Sequence, residues 1–125
     1  MSLESMLEGM RSKLEEGIKQ HLAGLRGLVV KPVYNSMMPL HLEMVLPSNV
    51  FELVFLKEGL VSLSRNPPSS VDVRIQTDAE TLRTVFEHPS AELFAELEAQ
   101  SKMSITSLTK KGSDAEGYIR KYFAR

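Results

Sequence analysis

The chain of 125 residues contains no cysteine and no tryptophan, and only 6% of its residues are aromatic. The absence of cysteine excludes disulfides, thiolate metal sites and cysteine nucleophiles, and it agrees with a reducing cytoplasm. No apolar run approaches the roughly 18 residues that a membrane-spanning helix needs, and the N-terminus is too charged for a signal peptide. We therefore expect a cytoplasmic protein without a transmembrane segment.

Charge of one sign is also missing, because the formal net charge is −1. Lys and Arg are scattered among acidic residues, whereas a nucleic-acid partner requires a clustered basic face. The seven glycines are isolated, so there is no glycine-rich loop for a phosphate group. No Gly-x-Ser-x-Gly motif marks a serine nucleophile. We expect no nucleic-acid partner and no nucleotide site.

Histidines and carboxylates offer no clear catalytic or metal site. His21, His41 and His88 are far apart in the chain, and no pair has the spacing of metal ligands. Glu15–Glu16 and the glutamates of residues 92–98 are predicted on solvated helix faces, where burial cannot tune their pKa values for catalysis. The sequence therefore predicts no catalytic residue, no metal and no cofactor. An enzyme that uses scattered Glu and His side chains is the least favoured alternative.

The clearest local pattern covers residues 71–86. Residues 71–76 alternate apolar and polar side chains, which predicts a strand with one buried face. Thr77 and Glu80 have the spacing of a capping box, so we predict a helix that begins at Thr77. Apolar residues then recur at helical spacing at Leu82, Val85 and Phe86.

The other elements follow from the same two periods. The pattern predicts an amphipathic helix from Leu3 to about Leu25, a strand from Leu40 to Leu46, a hairpin from Phe51 to Ser64, a short helix capped by Ser90, a strand from Lys102 to Thr109, and a final helix capped by Asp114 with Tyr118, Ile119, Tyr122 and Phe123 buried. Pro32 cannot donate to a strand ladder, so residues 28–34 are predicted as an edge strand or an extended link, followed by a turn at residues 35–39. Strands grouped between helices indicate one α+β domain spanning residues 1–125, with a mixed sheet under helices.

Residues 51–123 resemble the sterol carrier protein domain family. The resemblance is carried by the hairpin of residues 51–61, the strand-to-helix unit of residues 71–82, a second helix near Phe94, and the strand, turn and helix of residues 103–114. It implies a five-stranded mixed, mainly antiparallel sheet covered by helices on one face. It also implies a tunnel that takes sterols, fatty acyl chains or other apolar ligands.

The preferred hypothesis is the non-catalytic binding of a lipid or another apolar or amphipathic small molecule in a cavity between sheet and helices. The predicted lining consists of Phe51, Leu53, Leu82, Phe86, Phe94, Met103 and Ile105. The default interpretation of the bulky apolar residues is a packed core, and cavity lining is the alternative. A second hypothesis is a homodimer without a ligand, formed through the first or the final helix.

Two pairs of basic side chains would allow transient contact with a membrane surface. Lys110–Lys111 and Arg120–Lys121 could contact anionic lipid head groups. A solvated helix end, where positive charge complements the helix dipole, is the simpler interpretation.

Overall fold

The computed structural model describes residues 3–47, 49–64, 70–88 and 90–123, without the side chains of residues 25, 26, 91 and 118–123. In chain order the elements are α1 (Leu3–Leu22), α2 (Gly24–Met37), β1 (Leu40–Val45), β2 (Val50–Phe55), β3 (Val61–Ser64), β4 (Val73–Gln76), α3 (Ala79–Glu87), α4 (Ala91–Ala99), β5 (Ser104–Ser107) and α5 (Lys110–Phe123). A single 3-10 turn, Lys57–Gly59, joins β2 to β3. The buried residues that were predicted for the final helix lie outside the described side chains.

The five strands form one mixed sheet in the order β3-β2-β1-β4-β5. β1 and β4 run parallel, and the other neighbouring strands run antiparallel. Along β1 the side chains of Leu40, Leu42 and Met44 are buried, whereas His41 and Glu43 on the opposite face are only partly buried. This alternation places the helices over one face of the sheet. The predicted α+β class and sheet type are confirmed.

The apolar stripe of α1 is buried in the core, as its spacing predicts. Met6, Leu7, Met10, Ile18 and Leu22 are at most 8% exposed. Full burial of such a side chain contributes about 1.5–3 kcal/mol relative to leaving it in water. Packing of these five side chains therefore holds α1 against the rest of the protein.

The strand-to-helix unit is confirmed, but the helix is capped one residue later than predicted. The Asp78 carboxylate accepts a hydrogen bond from the Thr81 backbone N–H at 2.7 Å. The Thr77 N–H instead donates to the carbonyl of Val45, and its hydroxyl donates to the carbonyl of Lys102. Thr77 therefore still belongs to the sheet, which explains why it cannot cap α3. Ser90 caps α4 as predicted, because its Oγ accepts from the Leu93 N–H at 3.0 Å.

The prediction of an extended segment at residues 28–34 is wrong, because these residues belong to α2. Pro32 removes the N–H that would pair with the carbonyl of Leu28. Leu28 is 75% exposed, so water can hydrate this carbonyl and the helix can continue through the proline. Residues 35–37 are also helical rather than part of a turn.

The start of α5 also differs from the prediction, since the helix begins at Lys110 and not at Asp114. The Thr109 hydroxyl accepts from the Gly112 N–H at 2.9 Å and donates to the buried carboxylate of Asp72 at 2.8 Å. A side chain at position 112 would place its Cβ 2.0 Å from the Asp72 carbonyl oxygen. Gly112 therefore permits close approach of α5 to Asp72, the residue before β4.

Candidate functional site

An apolar cavity of about 190 Å³ lies beneath α2 and is partly open to solvent. Its outer wall consists of α2 side chains, and its remaining walls come from α1, the starts of β1 and α5, and the end of β2. The lining residues are Ile18, His21, Val29, Val30, Val33, Tyr34, Met37, Met38, Leu40, Phe55 and Ala115. Apart from His21 and Tyr34, every lining side chain is apolar. The cavity thus offers a surface that prefers hydrocarbon to water.

The sheet and α5 position the inner wall of this cavity. Leu40 and Phe55 are cross-strand partners in the antiparallel pair of β1 and β2, so their side chains lie side by side on the helix-covered face. Ala115 of α5 contributes only a methyl group. Two bulky side chains and one small one therefore border the space that α2 covers.

A patch of exposed apolar side chains surrounds the same helix. Leu28, Val29 and Val33 on α2 are 75%, 74% and 54% exposed. Leu56 and Leu60 are exposed at the two ends of the turn Lys57–Gly59. Seven large apolar side chains are exposed in the described part of the chain, and five of them lie on α2 or next to this turn. Clustered exposure of this kind is typical of surfaces that contact another apolar molecule.

Polar contacts attach α2 to the turn between β2 and β3. Glu58 forms an ion pair with Lys31, and its Oε1 accepts a hydrogen bond from Asn35 Nδ2 at 3.1 Å. The Glu58 backbone N–H donates to Asn35 Oδ1 at 3.0 Å. The hydrogen bond from Lys31, followed by the one from Asn35, lowers the pKa of Glu58. Glu58 also has a φ of +66°, in the left-handed region that few residues other than glycine adopt.

The seven predicted lining residues occupy a different part of the interior. Five of them are buried in the core, and Phe86 and Ile105 are partly buried against it. Phe86 contacts α1, where the Lys13 ammonium lies 4.7 Å from its ring centre. Met103 also borders a shallow polar depression at the ends of β4 and β5. None of the seven borders the cavity beneath α2, and their contact with a ligand stays a prediction.

The residues that do line the cavity had a signal in the sequence. Val30, Tyr34 and Met37 follow the i, i+4, i+7 spacing of one helix face. Pro32 within the same segment favoured an extended interpretation and concealed this period.

Glu15 is not simply part of a solvated face, contrary to the expectation for the Glu15–Glu16 pair. Its carboxylate accepts from the Val61 backbone N–H at 2.9 Å, and Arg11 donates to the Val61 carbonyl at 3.1 Å. The bond from Val61 is the main cause that lowers the pKa of Glu15, and the charges of Lys19 and Arg11 add to it. These two side chains attach α1 to β3, which is an edge strand of the sheet.

The open face of the sheet carries charged side chains that pair with each other. Glu43 forms an ion pair with Arg74, and His41 Nδ1 lies 3.3 Å from Glu52 Oε2. Within the described part of the chain, no group of three His, Asp or Glu side chains is placed to hold a metal ion. None of the described helices is both long and apolar enough to cross a bilayer.

Comparison with known proteins gives no match at the level of sequence but several at the level of structure. No protein-family model matches the chain, and no curated protein is significantly similar to it. A UbiJ-SCP2 ubiquinone synthesis protein superposes with a TM-score of 0.57 at 12% identity, over 91% of this chain and 95% of its own. Sterol carrier protein 2 like 2 from Aedes aegypti gives 0.57 at 13% identity, over 96% and 98%. The chain has the sterol carrier protein fold.

A third solved structure with the same fold is palmitated. Palmitated SCP2L2 from Aedes aegypti, determined in solution by NMR, gives a TM-score of 0.56 at 14% identity, over 100% of this chain and 96% of its own. The resemblance predicted from residues 51–123 is therefore confirmed at the level of the fold. At these identities the ligand has to be inferred from the chemistry of this chain's own cavity.

Proposed function

We propose that this protein binds the apolar chain of a lipid-like small molecule in the cavity beneath α2, without catalysing a reaction. The observation that carries the proposal is a partly open cavity with nine apolar lining residues out of eleven. Apolar surface that leaves water here contributes about 25 cal/mol per Å². A hydrocarbon chain gains this free energy without requiring a specific polar partner.

The size of the cavity supports a single flexible chain over a rigid ring system. Its volume of about 190 Å³ lies below the roughly 300–1,000 Å³ of pockets that enclose drug-sized ligands. A linear chain can insert one segment and leave the rest at the opening, whereas a fused-ring sterol has to enter as a whole. The palmitated structure of the same fold agrees with an acyl chain.

The charge of the surrounding segment supports an anionic polar end. Residues 17–42 contribute nine of the eleven lining side chains and contain three Lys or Arg but no Asp or Glu. A carboxylate or phosphate at the opening would therefore meet no acidic side chain from this segment. A cationic end would meet the same basic segment, in which Lys19 and Lys31 already pair with Glu15 and Glu58.

A fluorescence titration with cis-parinaric acid, an intrinsically fluorescent single-chain fatty acid, tests this function. We expect saturable binding by the wild-type protein. The Val30→Phe variant, which fills the cavity from α2, should lose at least about tenfold in affinity, since overpacking excludes the chain. Val54→Phe is the matched control, because Val54 is a half-buried valine on the open face of the sheet. Absence of saturable binding, or equal loss in both variants, would contradict the proposal.

Competition with matched ligands then tests the chemistry of the polar end. Dodecanoate should displace cis-parinaric acid at a lower concentration than dodecylamine does. The fluorescent sterol dehydroergosterol should bind more weakly than either of these single-chain ligands. Preference for the amine would contradict the inferred anionic end. Tight sterol binding would contradict the inferred single chain.

A homodimer is a second candidate function, and the exposed apolar patch on α2 and the adjoining turn favours it. The buried side chains of α1 are not available to a second copy of the chain. Of the described surfaces, the exposed apolar patch is therefore the better dimer interface, and it consists of Leu28, Val29, Val33, Leu56 and Leu60. Light scattering on the wild type and on a Leu28→Lys variant tests this candidate. A dimer that dissociates in the variant would support it, and a monomeric wild type would contradict it.

A further inference from the structure

We propose that α2 is a hinged lid over the apolar cavity and that Glu58 holds the lid closed. The inference rests on the proposed function, since it states how a ligand reaches the cavity. The contacts that would hold the lid lie between α2 and the turn Lys57–Gly59, where Lys31 and Asn35 contact Glu58.

The position of α2 makes it the element that has to move. Five lining residues, from Val29 to Met37, belong to this helix, while the other walls belong to α1, the sheet and α5. The outer face of α2 is open to solvent at Leu28, and the cavity-lining Val29 and Val33 are also exposed, so no other described element packs over these positions. Displacement of α2 therefore opens the cavity without separating strands, and on α1 it uncovers Ile18, which lines the cavity.

Both ends of α2 have backbone conformations that suit a hinge. At the N-terminal end, Ala23 is extended and Gly24 has a φ of +79°, which glycine adopts without steric cost. At the C-terminal end, Met38 is extended, which ends the helix before β1. Because the helical backbone is interrupted at both ends, α2 can change its orientation relative to α1 and β1.

The first turn of α2 provides a pivot. A Cβ atom at Gly27 would lie 1.8 Å from the carbonyl oxygen of Leu22, the last residue of α1. Only glycine allows the two helices to come this close. The contact fixes one end of α2 on α1, while the half that contains Val33 and Met37 lies farther along the chain from the pivot.

Glu58 has the properties of a reversible latch. Its side chain is 56% exposed and that of Lys31 is 43% exposed, and ion pairs at such exposure contribute little to stability. Its φ of +66° carries a conformational cost that glycine at the same position would avoid. Glu58 keeps this unfavourable backbone conformation and contacts α2 through both its side chain and its backbone. We therefore infer that its side chain has a role.

Ligand exchange kinetics provide the first test. In stopped-flow mixing, cis-parinaric acid should leave the Glu58→Ala variant about two- to fivefold faster than the wild type, as expected for loss of a weak exposed contact. Glu8→Ala is the matched control, because Glu8 is also 56% exposed and pairs with Arg11 within α1. Its dissociation rate should equal that of the wild type. Equal rates in all three proteins would overturn the latch.

A cross-link provides the second test, and the absence of native cysteine makes it clean. The double variant Asn35→Cys/Glu58→Cys can be joined by a short bismaleimide. Cross-linked protein should take up cis-parinaric acid at least about tenfold more slowly than the same variant before cross-linking. Uptake at an unchanged rate would show that the ligand enters by another route and would overturn the lid.

Hydrogen exchange separates failure of the lid from failure of the proposed function, because it requires no ligand. The lid predicts that the amides of α2 exchange together and faster than those of α3, and that Glu58→Ala increases exchange in α2 alone. If cis-parinaric acid does not bind but this pattern is present, the lid stands and the ligand class is wrong. If α2 and α3 are equally protected, the lid is wrong whatever binds.

Discussion

The helices that cover the sheet are held in two different ways. α3 and α4 each begin at a side-chain cap, Asp78 and Ser90, and bury residues such as Leu82 and Phe94 in the core. α2 begins without a side-chain cap, contains Pro32, and exposes Leu28 to water. The layer of α3 and α4 therefore stabilises the fold, while α2 borders an apolar cavity.

The largest difference should appear when matched leucines are truncated in the two layers. Leu82→Ala removes a side chain that is 1% exposed and should reduce the free energy of unfolding by about 2–5 kcal/mol. Leu28→Ala removes one that is 75% exposed and should change it by less than about 0.5 kcal/mol. Urea denaturation followed by circular dichroism measures both. Similar losses would mean that α2 is packed as firmly as α3.

A smaller effect is expected from the cap of α3. Asp78→Ala leaves the Thr81 N–H without its acceptor and should cost about 1 kcal/mol in the free energy of unfolding. The corresponding change at Ser113→Ala, an exposed position within α5, serves as the control and should change little. An unchanged urea midpoint for Asp78→Ala would contradict the assigned cap.

The ion pair of α2 predicts a modest dependence of stability on pH. The folded state lowers the pKa of Glu58 from its usual value of 4.5, so the unfolded state binds protons more readily as the solution becomes acidic. This contribution is fully present above that value and is lost as the pH falls through the lower folded pKa. Urea midpoints measured between about pH 6 and pH 3 should fall further for the wild type than for Glu58→Gln. Parallel curves would contradict a contribution from this pair.

The smallest effect concerns the exposed patch. Leu28→Lys should leave the free energy of unfolding within about 0.5 kcal/mol of the wild type, because the side chain is already in water. Thermal unfolding measures the change, and a loss of several kcal/mol would indicate that α2 is covered by another part of the protein.

The layer of α3 and α4 could be predicted from the sequence because its local signals agree with each other. Alternation in residues 71–76, the cap at Ser90 and the helical spacing of Leu82 and Val85 all indicate the elements that form. Errors of one to four residues arose where tertiary contacts decided the boundary. Thr77 stays in the sheet through Val45, and Thr109 starts α5 through Asp72.

The helical structure of α2 could not be predicted from the sequence in the same way. A proline within a short apolar run has two local solutions, an extended segment or a helix that leaves one carbonyl to water. Packing of Val30, Tyr34 and Met37 around the cavity selects the helix, and their helical spacing alone does not outweigh the signal of the proline. For the same reason, the sequence could not decide whether bulky residues such as Leu53 and Phe94, which are buried in the core, also line a cavity.

The most direct test of the account is the location of a bound chain. Nuclear Overhauser contacts from ¹³C-labelled palmitate to the methyl groups of the protein distinguish the two parts of the interior. If the chain binds beneath α2, we expect contacts to Val30, Val33 and Met37. Contacts to Leu53 and Leu82 without contacts to α2 would contradict it and would place the ligand among the lining residues that the sequence first predicted.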